Sequence, residues 1–163
     1  MKPDLLDSFE YHGEHIDVEW FDVLSKDKIP NLPWQQVYAV GDLSGKVPIV
    51  MYENDNDNLP GGKTEPGETP DQTIKREIQE EINCSVISWE PLGYQCCSVK
   101  GGDKVYQLRV FAKLEKNGEF ESDPGGSVIG YHTINIDDLN KIIRWGLVGD
   151  RVQKLACIHY KRL

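Results

Sequence analysis

The sequence predicts an α+β fold, a mixed β-sheet sandwiched between α-helices. Three observations carry this expectation. Short segments of alternating hydrophobicity recur along the chain. One helix is sharply bounded, opening at Thr69 and repeating an apolar residue every four positions. The elements run strands, helix, strands, helix, an order that suits a sheet packed against helices.

His15 to Phe21 alternates as a strand does. Lys28 to Trp34 reads as an irregular connector, because Pro30 and Pro33 oppose both helix and central strand. Residues 1–36 read as an N-terminal extension of a main domain spanning 37–163. Gln36 to Val40 and Pro48 to Tyr52 are short strands, with Asp42-Leu43-Ser44-Gly45 turning between them. Glu53 to Asn58 is a polar loop. Thr69 suits the N-cap, Pro70 the first helical position and Gln72 the capping box. Ile74, Ile78 and Ile82 form the buried stripe. Val86 to Val99 and Lys104 to Leu114 are strands flanking the turn Lys100-Gly101-Gly102-Asp103. A loop from Glu115 to Ser127 leads to a strand at Val128 to Ile134. Helices are expected at Asp137 to Trp145 and Asp150 to Leu163.

The 163 residues hold enough chain for a core without disulfide staples. No apolar run approaches the ~20 residues of a membrane span. The first residues lack a cationic apolar signal pattern. The expectation is a cytoplasmic protein with no membrane partner. The net charge of -9 argues against a broad DNA- or RNA-binding surface. A small phosphorylated substrate remains compatible, because bound metal ions reverse the local sign. Cys84, Cys96, Cys97 and Cys157 have the wrong spacing for a zinc site and read as buried thiols.

One segment stands apart. Gly61-Gly62-Lys63-Thr64-Glu65-Pro66-Gly67-Glu68 is a glycine-rich loop that delivers the chain into the capped helix. Arg76, Glu77, Glu80 and Glu81 then crowd its last two turns. Glu77, Glu80 and Glu81 are spaced i, i+3, i+4, so they share one helix face. Like charges there repel, and they sit toward the negative end of the helix dipole. A solvated acidic face is one explanation, and a hard divalent cation bound by oxygen ligands is the other.

From Gly62 onward the sequence resembles the Nudix box, G-x5-E-x7-R-E-U-x-E-E-x-G-U, with U a bulky apolar residue. Gly62, Glu68, Arg76, Glu77, Ile78, Glu80 and Glu81 fall on it, with Cys84 as the last apolar position. The stretch from Leu59 through Pro70 is similar to the MutT-like branch. Asn83 stands where the family has glycine, and asparagine is the next-best residue for a left-handed helix end. The resemblance implies the Nudix fold and hydrolysis of a pyrophosphate bond in a nucleoside-diphosphate-linked substrate. It implies Mg2+, or alternatively Mn2+, held by Glu77, Glu80, Glu81 and the Gly61 carbonyl. It gives Arg76 the task of orienting Glu77, Gly62 and Glu68 the support of the loop-helix geometry, and Glu77 and Glu121 the catalytic roles. Glu121 is a late-loop base or extra ligand; Glu119 and Asp123 are close enough to replace it.

Substrate markers are sparse. ADP-ribose pyrophosphatases of the family carry a proline where this chain has Val99. Dinucleoside polyphosphate hydrolases carry a tyrosine near the stretch Lys100 to Gly102, which has none. That leaves a (deoxy)nucleoside triphosphate, cut to monophosphate and pyrophosphate, as the expectation. A nucleotide sugar or ADP-ribose, or a non-catalytic binding module, are the alternatives. Asn58, Leu59, Tyr38 and Tyr52, with Trp34, are the candidate base contacts. The partner is a small nucleotide and not a nucleic-acid polymer, with a homodimer left open.

Overall fold

The computed structural model describes residues 1–100, 102–124 and 126–161, so expectations touching Gly101, Gly125, Arg162 and Leu163 lie outside the described residues. A six-stranded sheet runs in the order β1 (Leu5–Tyr11), β2 (Glu14–Asp22), β6 (Cys84–Val99), β7 (Val105–Lys116), β3 (Trp34–Asp42), β5 (Gly61–Lys63). The β3–β7 pair is parallel and the others are antiparallel, so the sheet is mixed as expected. A second, two-stranded sheet pairs β4 (Val47–Tyr52) with β8 (Val128–Ile134).

Alternation along the central strands divides the core into two layers. Val37 and Ala39 of β3 and Leu108, Val110 and Ala112 of β7 face Ile74, Ile78 and Ile82 of α1 (Pro70–Ile82). Val40 and Phe111 face the other way, toward Leu139 and Ile143 of α2 (Leu139–Ile143) and Val152 and Leu155 of α3 (Gly146–Tyr160). The period of two in strands puts neighbouring residues on opposite faces, and each face is roofed by a helix stripe of period near four.

In the N-terminal segment the strand expected at His15–Phe21 is present as β2, and β1 joins it. Residues 5–22 form the β1–β2 hairpin, which adds to β6 and continues the main sheet. Trp20 is fully buried, and Asp22 pairs with Arg151 of α3. The turn at Asp42–Gly45 is present, held by reciprocal bonds between Leu43 and Lys46. The strands it joins then part into different sheets. The helix expected at Asp137–Trp145 is cut short: Ile136–Asp138 is a 3-10 turn and Arg144 ends α2 in the left-handed region at φ 55°. Helix α3 begins at Gly146, ahead of the expected Asp150. Asn140 explains both shifts, accepting from Trp145 N and donating to Gly146 O and Asp150 Oδ1. No helix among the described residues is long and apolar enough to cross a membrane.

Candidate active site

Helix α1 opens as the sequence predicts. Gln72 N donates to Thr69 Oγ1 at 3.3 Å, and Thr69 N donates to Gln72 Oε1 at 2.9 Å. The cap fixes the helix phase, and so fixes where the acidic face points. Its far end closes on Asn83 at φ 50°, ψ 47°, the left-handed geometry expected of the residue replacing glycine. The Asn83 side chain also donates to Glu119 O at 3.0 Å and accepts from Gln79 Nε2 at 2.9 Å. It therefore stitches the helix end to the following loop as well as terminating it.

Arg76 organises the acids. Its Nε and Nη2 fork onto Glu68 at 2.8 and 2.9 Å, and Nη2 also donates to Lys63 O at 2.9 Å. Nη1 reaches Glu77 Oε1 at 3.0 Å and Glu80 Oε2 at 3.3 Å. The forked bonds from Arg76 hold the Glu68 carboxyl far below the ordinary carboxylate range. Gly62 packs directly under the Glu77 carboxylate: a Cβ there would sit 2.5 Å from Glu77 Oε1 and push that carboxylate aside. Gly61, at φ 146°, lies so close to β3 that a Cβ would meet Val37 O at 2.2 Å. Its N–H donates to Glu81 Oε1 at 2.6 Å.

Glu81 is the deepest acid, 4% exposed. Burial pushes its carboxyl up, against the Gly61 N–H, and the charges of Glu77, Asp123 and Glu80 push further, to about 8. Glu77 is raised for the same reasons, less the counter-pull of Arg76. Among the described residues no three acidic, histidine or cysteine side chains already converge as a metal cage; Arg76 engages one oxygen each of Glu77 and Glu80. The donor set nonetheless fits a hard divalent cation. It offers carboxylate oxygens alone, and the buried Glu81 charge lacks a cationic partner, which such an ion would supply.

The late loop carries three acids, placed differently. Glu121 is exposed, and it is not among the charges raising Glu77 and Glu81. Asp123 is among them, and its Oδ2 accepts from Val128 N at 3.2 Å. Asp123, two residues later and half-buried, is thus a second candidate for the late-loop acid beside Glu121. Glu119 is turned to Lys116.

The base-contact candidates separate. Tyr38 and Asn58 line a cavity of about 560 Å³ beside the acidic face. Tyr52 is half-buried near the acids, and burial followed by the Glu81 charge raises its phenol. Leu59 is fully buried core, and Trp34 packs on Tyr94 and Tyr106 in the α1 layer; neither lines the cavity. Sequence reading missed Arg109, Gln95, Gln107 and Trp145, which line it. The overlooked signal was an arginine inside the apolar run Leu108-Arg109-Val110-Phe111.

A sequence model of the NUDIX domain matches residues 44–153. The chain belongs to the Nudix family. Hydrolases of this family generally use divalent metal ions. A Bacillus subtilis (strain 168) protein named "Putative 8-oxo-dGTP diphosphatase YtkD" is 30% identical over 95 residues, covering 56% of this chain and 59% of that protein, so the likeness spans under two-thirds of the relative. Among solved structures, a mutant of a Bacillus subtilis pyrophosphohydrolase superposes with TM-score 0.70 at 20% identity, over 94% of this chain and 97% of that one. A MutT protein from Aliivibrio salmonicida or Vibrio cholerae gives 0.55 at 19%, over 76% and 97%. An ADP-ribose pyrophosphatase from Streptococcus suis gives 0.53 at 17%, over 80% and 92%. These structural likenesses carry the fold.

Proposed function

We propose that this Nudix-family protein is a hydrolase that cleaves a (deoxy)nucleoside triphosphate to the monophosphate and pyrophosphate, with Mg2+ or Mn2+. One observation carries the reading: Tyr38 belongs at once to the cavity wall and to the acidic site. Its ring lines the cavity under the Arg109 guanidinium, and its backbone pairs with Gly61, whose N–H holds Glu81 Oε1 at 2.6 Å. A ligand seated with its base in the cavity presents its phosphates to the helix carboxylates. The name of the Bacillus subtilis relative falls in the same substrate class.

Glu77, Glu80 and Glu81 are the residues that would hold the ion. When bound, it neutralises diphosphate oxygens and acidifies the attacking water. Arg76 keeps Glu77 and Glu80 aligned, while the Gly61 N–H fixes Glu81 from the opposite side. Asp123 Oδ1, the oxygen not engaged by Val128, takes the water's proton in this reading. The catalytic contribution is positioning and charge rather than covalent chemistry.

The test is a panel of nucleoside triphosphates, nucleotide sugars and dinucleotides with magnesium, with products weighed by mass. Monophosphate plus pyrophosphate from triphosphates is expected, abolished by chelator. Turnover confined to nucleotide sugars, releasing sugar phosphate, would reject the proposal.

A further inference from the structure

The far end of helix α1 carries more polar bonding than a helix stop needs. Asn83 holds φ 50°, ψ 47°, a region most side chains avoid. A glycine would end the helix there at no steric cost. The Asn83 side chain is spent on other groups: Oδ1 accepts from Gln79 Nε2 at 2.9 Å and Nδ2 donates to Glu119 O at 3.0 Å. Asn117 closes the cluster. Its N–H donates to Asn83 O at 3.0 Å, its Nδ2 donates to Gln79 Oε1 at 2.9 Å, and its Oδ1 accepts from Ser85 Oγ at 2.9 Å. Each of the three amides uses both its ends. Turning Gln79 or Asn83 over would set donor against donor and acceptor against acceptor at once, so the network admits one polarity.

The cluster joins the two acidic elements of the site. Gln79 sits on the helix turn that carries Glu77, Glu80 and Glu81. Asn117 and Glu119 open the loop that carries Glu121 and Asp123. The far end of that loop is held separately: Val128 N donates to Asp123 Oδ2 at 3.2 Å, and Gly126 N donates to Asp123 O at 3.3 Å. Between these ends Phe120 packs on the α1 layer. Apolar contact is non-directional, so it keeps the loop on the molecule without fixing where the acids point.

We propose that the Gln79–Asn83–Asn117 cluster is a positioning device for hydrolysis, tying the late loop to helix α1 and so setting where the late-loop acid stands relative to Glu77 and Glu81. The inference rests on the reading above, in which a late-loop acid takes the water's proton. Asn83 is then a positioning residue that acts through the loop. A proton acceptor works only within hydrogen-bond reach of its water, and a misplacement of about 1 Å can cost ~100-fold in rate. Exposed amide bonds that add little to stability are therefore enough to matter for turnover.

The test measures kcat and KM in magnesium for wild type, Asn83→Gly, Asp123→Asn and the double variant, on whichever compound of the panel above turns over fastest. Glycine suits φ 50°, so Asn83→Gly removes the side-chain bonds and keeps the helix stop. It should lower kcat roughly 10-fold with KM within ~3-fold. In the Asp123→Asn background the same change should cost under ~2-fold, because the acid it places is gone. Amide hydrogen exchange should quicken over residues 118–123 and stay unchanged along α1. Asn117→Ala loosens the cluster from the loop side and should repeat both results. Additive losses in the cycle, an unchanged kcat, or faster exchange along α1 itself overturns the proposal. A panel that favours nucleotide sugars rejects the triphosphate, while the cycle still decides the cluster. If Asp123→Asn is as active as wild type, Glu121→Gln takes its place in the cycle; if neither acid matters, the late-loop reading and the cluster fall together.

Discussion

Glu81→Gln should separate stability from activity. Glu81 accepts the Gly61 N–H, and a glutamine oxygen can accept the same bond. The substitution therefore removes a charge and little else. In chelator the wild-type carboxyl holds its proton to about 8, against 4.5 in the open chain. Raising the pH through 4.5 ionises the unfolded chain first while the folded state keeps its proton. Stability is present at low pH, falls as pH climbs, and levels off above about 8. The full difference corresponds to roughly 5 kcal/mol at ~1.4 kcal/mol per pH unit. Water entry and proton sharing with Glu77 relieve part of it, leaving about 2–3 kcal/mol. Glu81→Gln should thus be more stable than wild type by about 2 kcal/mol at pH 8 and nearly equal at pH 5. Hydrolysis should meanwhile fall at least ~100-fold, since losses at residues merely supporting a metal ligand already cost 10–100-fold. Urea unfolding in EDTA at both pH values, with a turnover assay in magnesium, reads all three quantities. A stability gain that is the same at pH 5 and pH 8, or a folded variant with near-wild-type turnover, would refute the reasoning.

Other perturbations probe the rest of the site. Asp123→Asn should lower kcat with little change in KM while Glu121→Gln stays near wild type; the reverse ranking in saturating magnesium would return the role to Glu121. Arg76→Lys cannot fork onto Glu68 while reaching Glu77 and Glu80, so kcat should drop about 10-fold or more, measured beside metal affinity. An unchanged affinity and rate would show that Arg76 does not position those carboxylates. Asn83→Gly relieves left-handed strain but loses two hydrogen bonds, and thermal unfolding should show a net loss of about 1 kcal/mol. A gain in melting temperature would reduce Asn83 to a helix terminator.

How much of this was legible depended on whether the information was local. Helix α1 was, because Thr69, Pro70, Gln72 and the four-residue isoleucine spacing all lie within one segment. So was the acidic face, since i, i+3, i+4 spacing survives any tertiary arrangement. Strand β1 was not: its residues are mostly exposed and carry no clear alternation, and only pairing with β2 makes it a strand. Strand β5 is three residues long and begins with two glycines, so it exists through its register with β3. The late loop looked equally good at Glu119, Glu121 and Asp123. Only the folded chain shows their different surroundings: Asp123 is tied to Val128 N, Glu119 to Lys116, and Glu121 is exposed. Arg109 meets Tyr38 and Trp145 only through the β3–β7 pairing and the α2–α3 junction, so its surroundings could not be read from neighbours in sequence.

The β1–β2 hairpin brings Asp7, Ser8, Phe9 and Glu10 to the rim of the cavity, while Glu77, Glu80 and Glu81 stand on α1. Under the proposed function, admission and reaction fall to separate parts of the chain. The matched family segment begins at residue 44, well after the hairpin ends. Changes in the first dozen residues can then alter which molecules are let in while leaving the bond-breaking apparatus untouched. A lineage carrying this arrangement could move between substrates by editing a doorway instead of rebuilding an engine.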